Sequence, residues 1–438
     1  MENDIKSAIA SLRKGQAPGN REILQEISVG SEFIMDFWKE KYLANYLAMG
    51  GSKIKFVTGR TGSGKTHFLE ILAMEAEKMG YISVSFSARE LWIHDFKEIY
   101  TAILHQVNLL ERLQLCSHEV IRQLGYDPES IPDSISFADY LSSQGLLDPL
   151  TKREIRLQLE KLFLANPLID NNFALACAML TGGILGHPTL EEANSKLLML
   201  WLEGSREAKL SSLRRLGLSP SKITKYNARH MLRSLVEVCC LAGFKGLVIS
   251  IDNMEVLVNA DSAETIRYSR LKREDAYESI RELIDEIDTL KHTMFVFSFD
   301  RSLIDDDIRG MKSYQALWMR IQNEIEGKRF NRFADIVDLD RLIDEVYTPE
   351  NIVKMSTRLA QVINRFDAGA TPISLNTAEE LHARSRFGKV SLPRKVALTT
   401  LQEGAEYWIL KRRELLKPCV RECLPGRLDI TSPQPVQN

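Results

Sequence analysis

The chain has 438 residues, of which 44% are hydrophobic and 26% charged. This composition fits roughly two to four globular domains and excludes global disorder. With 57 basic and 59 acidic residues the formal net charge is −2, so any nucleic-acid contact would need a local basic patch. Six cysteines in this length do not make a disulfide framework.

The first part of the chain changes from a helical to a strand pattern. The predicted helices lie at residues 4–12, 33–47 and 68–79, and the predicted strands at 53–58 and 81–87. A strand, a glycine-rich loop, a helix and a strand in this order are typical of the start of a parallel α/β sheet.

No strand is predicted between residues 90 and 242. Helical periodicity instead occurs at residues 103–115, 152–164, 173–185, 190–202 and 228–242. Near-continuous apolar runs, typical of strands covered on both faces, return at residues 246–251, 294–299 and 336–339. Further helices are predicted at residues 349–366, 377–385 and 392–415. The fold class is therefore α/β, a parallel sheet with helices on both faces and a long helical insertion.

These patterns divide the chain into six segments. They are an N-terminal helical segment at 1–50, the first part of the sheet domain at 51–109, a helical insertion at 110–225, the second part at 226–345, a helical lid at 346–417 and a flexible tail at 418–438. The polar start and the lack of an apolar run of about 20 residues predict a cytoplasmic protein with no membrane partner.

A glycine-rich loop matches the pattern G-x-x-x-x-G-K-[ST] without deviation. Glycines let the backbone approach phosphates closely, and the helix that follows aims its free N–H groups at the same anion. Lys65 would contact the β- and γ-phosphates of ATP, and Thr66 would bind Mg²⁺. The alternative is a chance match, but the flanking strand and helix argue against it. The loop residues are Gly59, Arg60, Thr61, Gly62, Ser63, Gly64, Lys65 and Thr66.

A second motif follows the strand at 246–251. Asp252, at the carboxyl end of this strand, is the predicted carboxylate for Mg²⁺. Asn253 stands where many ATPases have a glutamate, and an amide orients water but cannot accept its proton. Glu255 is the nearest carboxylate that could polarise the attacking water, or it could cap the next helix instead. Hydrolysis is therefore expected to be slow, or to be completed only in an assembly.

Four further side chains are candidates for contact with the γ-phosphate. Ser298 and Asp300 end the strand at 294–299, where a sensor side chain would lie; Asp300 could equally cap the following turn. Arg320 is a candidate for stabilising transition-state charge. Arg394, just after Pro393, would occupy the first turn of a lid helix and reach back to the nucleotide. The alternative for both arginines is an exposed basic residue.

Six short segments carry a family resemblance. They lie at residues 11–15, 29–32, 59–66, 246–255, 314–320 and 392–394. In this order they resemble the BrxD-type ATP-binding proteins of BREX (bacteriophage exclusion) phage-defence systems, over roughly residues 5–415. Those proteins are related to AAA+ ATPases of the origin-recognition kind. The resemblance implies a P-loop AAA+ fold, ATP and Mg²⁺ as cofactors, and a position near the nucleotide base for Val29 and Gly30.

The same resemblance implies action against phage DNA together with helicase-like or other defence-system proteins, and a homo-oligomer. Double-stranded DNA would contact the insertion, where residues 206–225 contain six basic side chains; a solvated basic helix face is the alternative. Three functions compete. The first is an AAA+ ATPase coupled to DNA or to complex assembly, the second a nucleotide-gated switch with little hydrolysis, and the third a small-molecule kinase.

Overall fold

A computed structural model describes most of the chain between residues 2 and 401. The described ranges are 2–14, 16–30, 32–132, 134–259, 266–322, 331–343, 345–365, 370–385, 387–388 and 390–401. Two compact units divide these residues. The helical unit takes its described residues from 1–29, 347–387 and 392–401, and the sheet unit takes them from 30–346 and 388–391.

The sheet unit contains five parallel strands in the order β2-β3-β4-β1-β5. They are β1 Ser52–Gly59, β2 Ile82–Ser87, β3 Leu247–Asp252, β4 Thr293–Asp300 and β5 Ile336–Asp338. Each predicted strand is found, with its ends within one residue of the expected position. In the register, Gly59 lies beside Asp300, and Thr58 beside Asp338. The polar carboxyl ends of β1, β4 and β5 therefore meet at one edge.

Helices make up most of the remaining described structure. The α-helices are α1 Glu2–Lys14, α2 Arg21–Ile27, α3 Glu32–Trp38, α4 Lys65–Lys78, α5 Phe96–Val107, α6 Leu109–Gln123, α7 Phe137–Ser143, α8 Pro149–Leu159, α9 Asn171–Leu185, α10 Glu192–Leu202, α11 Leu210–Arg215, α12 Ala228–Leu241, α13 Arg270–Glu286, α14 Ser302–Asp305, α15 Gln315–Ile321, α16 Pro349–Asn364 and α17 Leu375–Ala383. Residues 392–401 are also helical. Two π-helical stretches, Lys39–Tyr46 and Glu160–Leu164, continue α3 and α8.

Between β2 and β3 the described residues contain helices and no strand, as predicted. The single helix expected at 103–115 is wrong, because Asn108 adopts a left-handed conformation (φ 52°) that ends α5 and starts α6. The prediction also omitted α13, a long helix with mostly charged side chains. The predicted tail at 418–438, and the predicted helix beyond residue 401, lie outside the described residues.

Strand β1 carries a fully buried lysine. The Nζ of Lys55 donates hydrogen bonds to the carbonyls of Phe333 and Ala334, at 2.7 and 2.8 Å, and lies 3.6 Å from Asp335. Burial lowers the pKa of Lys55 to about 8. These contacts hold the segment that leads into β5, so they place the end of β5 beside the end of β1.

The helical unit has its own apolar core. Its buried residues come from α1, α2, α16 and the segments around 370 and 401, and include Ile5, Ile23, Ile27 and Leu359. Arg365 of this unit pairs with Glu26. Among the described residues, no helix is both long enough and apolar enough to cross a membrane.

Candidate phosphate-binding site

The loop between β1 and α4 adopts a conformation that its glycines make possible. Gly62 and Gly64 have φ values of 79° and 92°, in the region that side chains disfavour. A Cβ atom on Gly59 would lie 2.5 Å from the Ser63 hydroxyl oxygen. Helix α4 begins directly afterwards at Lys65, so its free N–H groups face the loop. The loop therefore has a glycine-dependent backbone in front of a helix N-terminus, an arrangement that favours an anion.

The side chain of Lys65 lies against this loop. Its Nζ donates to the carbonyl oxygens of Gly59 and Arg60, at 2.9 and 3.2 Å, and is 4.0 Å from a carboxylate oxygen of Asp300. The side chain is only 12% exposed. An ammonium group is thus held beside the helix N-terminus, where it adds to the positive potential of the loop.

Three of the predicted residues meet around Asp252. Its Oδ2 accepts a hydrogen bond of 2.5 Å from the Thr66 hydroxyl, and its Oδ1 accepts one of 2.6 Å from Ser298. The backbone N–H of Asn253 donates to the same Oδ1 at 2.8 Å. Because β4 lies between β1 and β3, Ser298 can bridge the strand of the loop and the strand of the acid.

Asn253 and Glu255 form a second polar group next to Asp252. Asn253 has a left-handed backbone (φ 61°), and its Oδ1 accepts a hydrogen bond of 3.0 Å from Ser87. Glu255 accepts from the backbone N–H of Asp300 at 3.1 Å and from Arg89 at 3.4 Å. Its carboxylate is thereby aimed at the end of β4. The Glu255 side chain is 13% exposed, and its role toward water stays a prediction.

Asp300 caps the following turn, which is the alternative considered from the sequence, while its role as a sensor of the γ-phosphate stays a prediction. Its Oδ1 accepts from the backbone N–H of Ser302 at 3.2 Å, which is a turn cap. Its Oδ2 accepts from the Thr61 hydroxyl at 3.3 Å, which joins β4 to the loop. One carboxylate can therefore stabilise the turn and also fix the loop.

Sequence reasoning missed a clamp that holds the loop from its other side. The backbone N–H of Arg60 donates to Asp340 at 2.6 Å, its guanidinium donates to the same carboxylate at 3.1 and 3.3 Å, and Ser391 donates to it at 2.6 Å. The backbone N–H of Ser391 also donates to the Thr61 carbonyl at 3.0 Å. We call these residues, Arg60, Asp340 and Ser391, the loop clamp.

The clamp keeps the Asp340 carboxylate charged. Burial raises the pKa of Asp340, but hydrogen bonds from Ser391 and Arg60 outweigh it, so the pKa lies below the ordinary 3.8. The available sequence signal was an acid just after β5, at the same edge of the sheet as Asp252 and Asp300. It was not recognised because its two partners lie 280 and 51 positions away.

The remaining predicted residues have other surroundings. Arg320 donates to Asp285 of α13 and to the Ala316 carbonyl, which occupies its guanidinium. The N–H of Gly30 donates to Glu32 at 2.6 Å, and Val29 is buried in the helical unit. Arg394 belongs to the helical unit, where its buried Nε has no hydrogen-bond partner among the described residues. Contact of these residues with a nucleotide stays a prediction.

The chemistry of the site suits a nucleotide with Mg²⁺. The buried Ser63 hydroxyl has no hydrogen-bond partner within the described part of the chain. This hydroxyl can therefore donate a hydrogen bond to a bound phosphate oxygen. Thr66 and Asp252 offer hard oxygen atoms side by side. Mg²⁺ typically takes one or two protein oxygens and fills its other positions with phosphate oxygens and water, so this small set is sufficient.

Together these features define an α/β protein whose all-parallel sheet carries a glycine-rich loop and an acidic strand end at the same edge. A family model narrows this class: the family of BREX system ATP-binding proteins, BrxC/D, matches residues 2–396. The chain belongs to this family. No curated protein and no solved structure matches the chain.

Proposed function

We propose that this protein is an AAA+-type ATPase of a phage-defence system, which couples ATP binding and hydrolysis to action on DNA or to assembly of a defence complex. The observation that carries the proposal is the junction of loop and acid, where Thr66 contacts Asp252 and Asp252 contacts Ser298. Membership of an ATP-binding BREX family supports the ligand and the defence context.

Each residue has a definite task in this proposal. Lys65 exchanges its loop carbonyls for phosphate oxygens and balances their charge. Thr66 and Asp252 hold Mg²⁺, which supplies charge neutralisation when it is bound with ATP. Glu255 accepts a proton from water, while Asn253 and Ser298 orient their neighbours by hydrogen bonds. The finer domain division, with an insertion at 110–225 and a lid from 346 to 417, belongs to the same proposal.

A second function is favoured by one observation. The residue after Asp252 is an asparagine, and its amide oxygen already accepts a hydrogen bond from Ser87. A site of this kind would bind ATP yet hydrolyse it slowly, which suits a nucleotide-gated switch that changes its oligomeric state. In this alternative the site is completed by double-stranded DNA, by a partner protein or by a second copy of the chain in a homo-oligomer. The same partners could instead respond to the bound nucleotide.

The test is ATP hydrolysis by the purified protein, with and without double-stranded DNA, beside Lys65→Ala. Turnover that depends on Lys65 and rises with DNA supports the DNA-coupled ATPase. Tight ATP binding with no turnover in either condition supports the switch, and ATP-dependent assembly measured by size-exclusion chromatography should then survive Glu255→Gln. Failure to bind ATP at all would contradict both functions.

A further inference from the structure

A cavity of about 450 Å³ lies in the helical region between β2 and β3, formed by residues that are far apart in the sequence. We call it the basic pocket. Its charged lining consists of Asp95, Lys97, Arg206, Lys222 and Lys225. Four cationic groups thus face one carboxylate, in a chain whose formal net charge is −2. The positive charge here is a local feature and not a property of the whole protein.

The one carboxylate of the pocket is committed to the backbone. Asp95 is the N-cap of α5, and its side chain accepts a hydrogen bond of 3.0 Å from the N–H of Lys97. None of the four cationic side chains has a carboxylate within ion-pair distance among the described residues. By contrast, Arg229 on α12 is paired at 2.7 Å with both Glu282 and Glu286. The pocket therefore has an excess of positive charge, with no close ion pair to its cations in the described part of the chain.

The frame of the pocket is fixed by packed groups. Trp201 is 3% exposed, and its Nε1 donates to the Ser221 carbonyl at 3.0 Å, which ties α10 to the segment before α12. Gly204 has a φ of 68°, and a Cβ there would lie 2.7 Å from Cε of Lys97. Lys97 is half-buried against this wall, whereas Arg206, Lys222 and Lys225 are exposed. The cationic groups are thus carried by a built cavity and not by one helix face.

The size and charge of the pocket define its ligand. A volume of this order is that of a small-molecule site, and it is larger than a single phosphate ion needs. Lysine and arginine side chains that are not held in ion pairs recognise phosphate groups by charge and by hydrogen bonds. We propose that the basic pocket binds consecutive phosphate groups, carried either by a free polyphosphate or by a nucleic-acid strand. For a nucleic-acid strand this inference rests on the DNA action proposed above, but it does not depend on whether the loop at Lys65 hydrolyses ATP.

The experiment uses the full chain with Lys65→Ala in every protein, so that the phosphate loop contributes equally throughout. The probes are a fluorescent single-stranded oligothymidine of 20 nucleotides, followed by anisotropy, and inorganic tripolyphosphate as competitor. The pocket variant is Lys222→Gln with Lys225→Gln. The matched control is Arg153→Gln with Lys161→Gln, which removes the same amount of positive charge. Both residues are exposed and belong to the same helical region, but they lie outside the pocket.

We expect the pocket variant to weaken probe binding at least tenfold at low salt, and the control to change it less than twofold. If tripolyphosphate competes, the pocket accepts free polyphosphate as well as strand phosphates; if only the oligonucleotide binds, the strand is the source. Equal losses in both variants, or no binding of either probe, would overturn the proposal. Unchanged melting temperatures show that both variants are folded.

Discussion

The phosphate loop and the basic pocket are both suited to phosphate, but they are built in opposite ways. The loop uses backbone N–H groups and glycines, and its lysine already donates to the carbonyls of Gly59 and Arg60. The pocket uses four side chains from three separate segments, and they have no acidic partners among the described residues. The loop offers backbone dipoles at fixed positions, whereas the pocket offers net positive charge.

This difference has a consequence for selectivity. Backbone donors at fixed positions favour a ligand of one shape, because each N–H must meet its own acceptor. Exposed lysines favour any ligand with enough negative charge, and the affinity of that ligand depends on the counterions that binding releases. We therefore expect ATP to require the loop, and a range of phosphate ligands to be tolerated by the pocket.

The largest expected effect is on the loop alone. Lys65→Ala should lower ATP turnover by about 100- to 1000-fold, since it removes a charged donor from the reacting phosphates. Oligothymidine binding should be unchanged, because the pocket has a separate set of cations. The control is Lys78→Ala at the other end of α4, where the lysine pairs with Glu75. Loss of both activities in Lys65→Ala would erase the distinction between the sites.

The salt dependence of ligand affinity should also distinguish the two sites, with a smaller effect than that of Lys65→Ala. If about three strand phosphates are neutralised in the pocket, oligothymidine affinity falls about 20-fold between 50 and 200 mM salt. ATP affinity at the loop should fall by about threefold or less, because most of its contacts there are to backbone groups. Parallel titrations by anisotropy and by calorimetry would measure both slopes. Equal slopes would mean that ATP is held mainly by side-chain charge.

Within the loop site, Glu255→Gln should lower turnover about tenfold and leave ATP binding intact. Glutamine keeps the size and the hydrogen-bond acceptor for Asp300 but cannot take a proton from water. Glu90→Gln, at an exposed position nearby in the sequence, is the control. Turnover equal to that of the unmodified protein would assign Glu255 to holding the end of β4 and not to proton transfer.

The smallest expected effect concerns the loop clamp. Asp340→Asn should lower the free energy of unfolding by about 1–2 kcal/mol at neutral pH, because it weakens charge-assisted hydrogen bonds from Arg60 and Ser391. The pKa of Asp340 is lower in the folded state than the ordinary 3.8, so its stabilisation is complete above that pH. It is lost as the pH falls below 3.8 through the lower, folded-state pKa.

Thermal unfolding of both proteins between pH 6 and 3 checks this sign. The difference in melting temperature should be largest near neutral pH and should shrink as the pH falls below 3.8, because the unfolded chain then takes up a proton that the folded carboxylate resists. A difference that stays constant with pH would show that the carboxylate charge of Asp340 contributes nothing to the clamp.

The sequence was most informative where structure is local. The strands were predictable because each is a short segment with an alternating or continuous apolar pattern, and the loop because its eight residues are contiguous. The break at Asn108 was not, since the helical pattern runs through it without a proline or glycine. The meeting of Thr66, Asp252 and Ser298 followed from the rule that parallel strands bring their carboxyl ends to one edge.

Contacts between distant segments could not be predicted from patterns. The clamp joins residues 60, 340 and 391, and the pocket joins residues between 95 and 225, with no periodicity that connects them. The basic stretch at 206–225 was visible in the sequence, but Lys97 and the cavity itself were not. The partner of Arg320 was also hidden from the sequence: the side chain is paired with Asp285, which lies on α13, the helix that was not predicted.

The core of the helical unit is formed by segments that are synthesised at very different times. Ile5, Ile23 and Ile27 share a core with Leu359 and Val362, yet residues 30–346 lie between these two groups in the chain. At a translation rate of about 5–20 residues per second, the first helices leave the ribosome tens of seconds before their partners exist. Their apolar faces must therefore stay unpaired, or be shielded by a chaperone, until nearly the whole described chain has been made.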